Sequence, residues 1–197
     1  MVYKDLVRST RHTLATCRPR LHRRLIVLTS ALVCACPWPA AAATDAPAHV
    51  RSTNGEMLQL IKEGTERSAT FRTLVDGINQ SDGIVYVERG ICAFGRVNGC
   101  VLPFIAPTQG NRYIRILVTP DTHRVSHDHV LAIIAHELQH AREVIGHANV
   151  IDVATMEDMY RRIGTPLKGQ QRGYETSGAR AAGDAVLVEL SAKHASR

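Results

Sequence analysis

Between Ser126 and Gly146 the apolar residues recur with the period of a helix. Val130, Leu131, Ile134, Leu138, Ala141 and Ile145 fall on one arc of a helical wheel, and His129, His136, His140 and Glu143 fall on a narrow stripe opposite. The pattern predicts a helix over Val130–Ile145, N-capped by Ser126, that buries one face and turns a histidine edge towards a cleft. Upstream, the spacing predicts short helices over Glu56–Lys62 and Ala69–Ile78. The second is capped by Ser68 and buries Phe71, Leu74, Val75 and Ile78. Alternation predicts strands over Ile84–Glu88, Val101–Ile105 and Tyr113–Val118, the last with Ile114, Ile116 and Val118 on one face. Asn54-Gly55, Asp82-Gly83, Asn98-Gly99 and Gly110-Asn111 are turn signals.

Downstream, Met156–Ile163 reads as a helix capped by Thr155 and stopped by Gly164-Thr165-Pro166, and Glu175–Lys193 as the last helix. On that last helix Glu175, Ala179, Ala182, Val186 and Leu190 lie along one line. Gly178, Ala179, Ala181, Ala182 and Gly183 keep it slim enough to pack closely on the histidine helix. The expected fold is α+β: helices, a small antiparallel or mixed sheet, the histidine helix, then a helical C-terminal part.

Composition changes the picture at the N-terminus. Residues 1–43 hold seven of the 24 basic residues and one of the 18 acidic ones, so the formal charge of +6 belongs to that stretch. The remainder balances, with no Lys/Arg run to suggest nucleic-acid binding. A basic segment to Arg24, an apolar core Leu25–Cys36 and Ala41-Ala42-Ala43 have the layout of a secretory signal cleaved near Ala43. The apolar core is short for a bilayer span, so no stable membrane span is expected in the mature chain. Val33-Cys34-Ala35-Cys36 resembles a lipobox only loosely. Export to the periplasm or medium is the expectation, with a loose arm over residues 44–54 and one domain over 55–197. Cleavage leaves two cysteines, Cys92 and Cys100, which in an oxidising compartment are expected to form a disulfide.

The candidate chemistry lies in His136-Glu137-Leu138-Gln139-His140. Histidines four apart stack on one helix face and can reach one zinc ion, with the intervening glutamate placed to act as general base on the water there. This His-Glu-x-x-His segment resembles the signature of the zincin metalloproteases, closest to the glutamate zincins. It is similar also to small secreted bacterial proteins carrying His-Glu-Leu-x-His. The resemblance covers the motif helix and, loosely, the last helix. It implies a zincin-like fold, Zn2+ as cofactor, a peptide or protein substrate, His136 and His140 as ligands, and Glu137 as the catalytic base.

Catalytic zinc takes a third protein ligand. The metzincin pattern would need glycine at position 143 and a ligand at 146, where this chain has Glu143 and Gly146. The nearby His147 falls one residue late, and on a continued helix it would sit about 10 Å along the axis from His140. The glutamate-zincin pattern points to Glu175 instead, a carboxylate heading an apolar line. Glu175 is the expected ligand and His147 the alternative. Glu143, a turn beyond His140, is expected to steady a ligating imidazole rather than to ligate. Tyr160 and Tyr174 are candidates for stabilising an oxyanion or, more simply, for packing. The functional expectation is an exported zinc metallopeptidase. The rivals are a zincin-like module that holds metal or docks a partner without turnover, and a hydrolase of non-peptide amides.

Overall fold

The computed structural model describes residues 48–93, 97–119, 125–168 and 173–195. The expected secretion signal, its expected cleavage near Ala43 and the Cys34/Cys36 segment lie outside the described residues. So do residues 44–47 of the expected arm and positions 94–96 of the cysteine loop.

The elements run in the order β1 (Val50–Arg51), α1 (Gly55–Arg67), α2 (Ala69–Asn79), β2 (Gly83–Arg89), β3 (Gly99–Val101), β4 (Ala106–Thr108), β5 (Asn111–Val118), α3 (His127–Ile145), α4 (Val153–Ile163), β6 (Thr165–Pro166), β7 (Tyr174–Glu175) and α5 (Ser177–Ala195). The architecture is mixed α+β. The main sheet has the order β1-β2-β5-β3, with β4 also on β5. Pairing is parallel for β1 with β2 and β2 with β5, and antiparallel for β3 and β4 with β5, so the sheet is mixed. β5 is therefore interior and β3 is an edge.

Within the segment expected as a loose arm, Val50–Arg51 form a parallel edge strand on β2 with Val50 buried, and Asn54 caps α1 through the amide of Met57. An isolated buried valine was too short a signal to outweigh the polar residues around it. The strand expected over Val101–Ile105 lies earlier, at Gly99–Val101, because Pro103 cannot donate to a ladder. Asp152, not Thr155, is the N-cap of α4; the two form a reciprocal capping box, with Thr155 at the third helical position.

α3 is buried beyond the single face its wheel suggests. Val130, Leu131, Ile134, Leu138 and Ala141 are buried as expected, but so are Ala132, Ala135, Glu137, His140 and Val144. The helix is enclosed between the sheet, α2 and α5. α5 approaches along Ala179, Ala182, Val186 and Leu190, all buried. At Gly183 a Cβ would stand 3.4 Å from the carbonyl oxygen of Ala132 and 3.5 Å from Cβ of His136, so the two helices meet here at van der Waals contact.

The far end of α3 is held by Arg112, buried on β5 in the same face as Ile114, Ile116 and Val118. Its guanidinium grips both oxygens of Asp82 at 2.8 Å. It also donates to the carbonyls of Val144, Ile145, His147 and Val150 at 3.2, 2.6, 2.8 and 3.2 Å. Those are carbonyls that a helix end leaves without intrahelical partners, and the turn that follows it.

Candidate metal centre

His136 and His140 follow from the helix; Glu175 is delivered by β7, a two-residue strand paired with β6 just before α5 begins. The expectation that Glu175 heads the last helix is corrected here. The helix starts at Ser177, and Thr176 precedes it, accepting the amide of Ala179 at 3.0 Å as a capping side chain does.

The three side chains converge. Oε1 of Glu175 lies 3.5 Å from Nε2 of His136 and 3.7 Å from Nε2 of His140, and the three candidate ligand atoms all lie within 4.8 Å of one another. These separations are long for hydrogen bonds. They are close to the edge of about 3.4 Å expected of a tetrahedron with metal–ligand bonds near 2.1 Å. The set could hold a metal ion. His147 stands apart, with Nδ1 at 2.8 Å from the carbonyl oxygen of Glu143 at the end of α3. Of the two alternatives for a third ligand, it is Glu175 that the fold brings to the histidine pair.

Glu143 occupies the supporting position. Its Oε2 is 3.0 Å from Nδ1 of His140, which leaves Nε2 of that ring turned towards His136 and Glu175. Its Oε1 accepts from Thr176 Oγ1 at 2.7 Å and, more weakly, from Gln139 Nε2 at 3.5 Å. Burial alone would raise the Glu143 carboxyl, but these donors hold it below its ordinary value. Burial likewise works against a charged His140, and the hydrogen bond to Glu143 with the surrounding carboxylates turns its shift upward. His136, desolvated and next to His140, is shifted downward. Thr176 was not singled out from sequence, although a threonine just ahead of a slim apolar helix is a cap signal.

Glu137 is 5% exposed and does not belong to the converging set. Burial, with the Glu175 charge, pushes its carboxyl up to about 7, opposed by the His140 charge and by the nearby backbone amide of Val101. Strand β3 passes so close that a Cβ on Gly99 would stand 2.8 Å from Oε1 of Glu137. Tyr160 is also committed: its hydroxyl donates to the carbonyl of His140 at 3.1 Å, and its ring stacks on Tyr174 with centroids 6.1 Å apart. Packing, rather than a free donor, is what its geometry shows.

These residues open onto a cleft of about 480 Å³ whose walls are β3, α3, α4 and the start of α5. His136, Glu137, His140 and Glu175 line it together with apolar Val101, Ile133, Met156 and Leu187. Cys92 and Cys100 are at disulfide distance, 2.14 Å between sulfurs, and Cys100 is part of the cleft wall. No helix of the described residues is long and apolar enough to cross a membrane. No family model, curated protein or solved structure matches this chain.

Proposed function

We propose that this chain is an exported, zinc-dependent hydrolase of peptide bonds, with a zincin-like active site in which His136, His140 and Glu175 hold the ion and Glu137 is the general base. The observation that carries the reading is the convergence of two imidazole nitrogens and one carboxylate oxygen, at spacings too long for hydrogen bonds, beside a buried carboxylate that is not one of them. Two neutral imidazoles and a carboxylate are a donor set suited to zinc, and a catalytic site keeps a fourth position open to the cleft.

When bound, zinc supplies a Lewis acid that polarises a carbonyl and lowers the pKa of a water towards about 7. The remaining work falls to the protein. Glu137 takes a proton from the attacking water and passes it to the leaving amine. Glu143 fixes the tautomer and orientation of His140 through Nδ1, and Thr176 fixes Glu143. The apolar cleft walls keep bulk water away, which strengthens each of these interactions. A metal held only for structure needs no buried carboxylate beside it; Glu137 is why the hydrolase reading is preferred to a docking module.

The test is Glu137→Gln. The variant should fold, bind one zinc per chain and lose hydrolysis by a factor of about a hundred or more, the usual contribution of a positioned acid–base group. A peptide-library screen with and without chelator supplies the substrate. A Gln variant that hydrolyses at the parent rate would exclude the mechanism.

A further inference from the structure

Glu137 is positioned from outside its own helix. The β3 backbone lies against its carboxylate: Gly99 lets the strand run close to it, and the Val101 amide two residues on favours its charged form. A Cβ at position 99 would meet Oε1 of Glu137 at 2.8 Å, its Cγ at 2.9 Å and Cγ2 of Ile133 at 2.8 Å. Yet β3 is a three-residue edge strand, paired only with β5 through Gly99, Cys100 and Val101. Such an edge is among the weaker parts of a sheet. The residue between the two that touch Glu137 is Cys100, bridged to Cys92. Cys92 itself is 3% exposed at the end of the segment leaving β2, so the bridge fastens the edge strand to a buried anchor across β5.

We infer that the Cys92–Cys100 disulfide is a brace that holds the β3 backbone on Glu137, and that hydrolysis depends on the redox state of this bridge. The inference rests on the hydrolase reading above. Reduction by a dithiol breaks the S–S bond; each sulfur takes up one electron and one proton, and the reductant is oxidised to its own disulfide. Cys100, on the cleft wall and less buried than Cys92, is the sulfur a thiolate can reach. Once released, Gly99–Val101 keeps its three ladder positions but loses its covalent tie, and the strand backbone no longer confines the Glu137 side chain. His136, His140 and Glu175 are held by α3, β7 and α5, so the metal set is untouched. Val101 and the bridge are positioning groups; Glu137 is the catalytic one.

The experiment compares oxidised protein with protein reduced by a dithiol and alkylated, both zinc-loaded, with folding checked by circular dichroism and zinc content measured. Hydrogen exchange at the Val101 amide should speed up at least tenfold on reduction. The turnover number on a library-derived peptide should fall at least tenfold while zinc stays at one per chain, and KM should change less than threefold. Unchanged Val101 exchange, or reduced protein that turns over at the oxidised rate, overturns the inference. Should the reduced chain unfold, Gly99→Ala with the bridge intact takes its place: turnover should fall tenfold with zinc retained, and parental turnover overturns the inference. If the oxidised protein cleaves no peptide at all, the hydrolase reading fails by itself, and Val101 exchange still decides whether the brace exists.

Discussion

Two polar clusters sit against the same helix and behave in opposite ways. At the C-terminal end of α3, Arg112 spends its guanidinium N–H groups on Asp82 and on four backbone carbonyls. In the middle of α3, Oε1 of Glu175 accepts the Thr176 amide at 2.9 Å and stands 3.5 and 3.7 Å from Nε2 of His136 and His140, with no hydrogen bond to either imidazole. The first cluster is closed: donors match acceptors, and nothing further is needed. The second is closed only at its back, where Glu143 and Thr176 hold His140, and it is open at its front. A closed cluster stabilises a fold, whereas an open one of this donor type is completed by a cation. Burial and charge alone do not distinguish them; satisfaction does.

The largest effect should come from breaking the closed cluster. Arg112→Met leaves Asp82 to solvent and removes a donor from the carbonyls at the end of α3, of which Val144 and His147 keep a backbone partner, and should destabilise the protein by about 3 kcal/mol in urea unfolding. Arg112→Lys should recover little, since an ammonium cannot span a carboxylate and several carbonyls in one plane. If Arg112→Met unfolded at the parent midpoint, the cluster would not be structural in the sense drawn here.

The carboxylate beside the open cluster should declare itself in the pH dependence of the metal-free protein. The Glu137 carboxyl is raised to about 7 in the folded protein against an ordinary value of 4.5. Between those values the native state holds a proton that the unfolded chain has released, so this carboxyl costs stability progressively as pH rises from 4.5 towards 7. Relative to Glu137→Gln, metal-free parent protein should therefore lose on the order of 3 kcal/mol between pH 4.5 and pH 8. A difference between the two proteins that stays flat across that range would mean the carboxyl is not buried as described.

Glu175→Ala should weaken zinc affinity by about a hundredfold or more, and His147→Ala should leave it unchanged, in zinc titrations against a competing chelator. The opposite pattern would exchange the ligands. The smallest effect belongs to the hinge between closed back and open front. Thr176→Val removes the cap of α5 and the donor to Glu143, and should cost about 1 kcal/mol of stability with a zinc affinity loss of about tenfold.

What the sequence disclosed tracks the range of the forces involved. Local periodicity carried α3 with its cap at Ser126, α2 with its cap at Ser68, the inward face of β5 and the buried line along α5. The two histidines came with the helix. Glu175 was reached as a residue but placed on the wrong element, because strands as short as β6 and β7 have no period to detect. Arg112 was overlooked although its parity with Ile114, Ile116 and Val118 put it on the buried face. Reading β5 from Tyr113 stopped one residue short of it. The contact of β3 with Glu137 left no local trace, since it joins residues far apart in the chain through backbone alone.

The division of the ligand set between α3 and β7 has a consequence for the order of assembly. The histidine pair exists as soon as one helix forms, through contacts four residues apart, whereas Glu175 arrives only when the last helix docks with Gly183 against Ala132. A nascent chain that has passed α3 but not yet completed α5 carries the motif without the full set of donors. An ion bound by this set would then be captured tightly at the end of folding rather than seed it, and its retention would report that the last helix has docked.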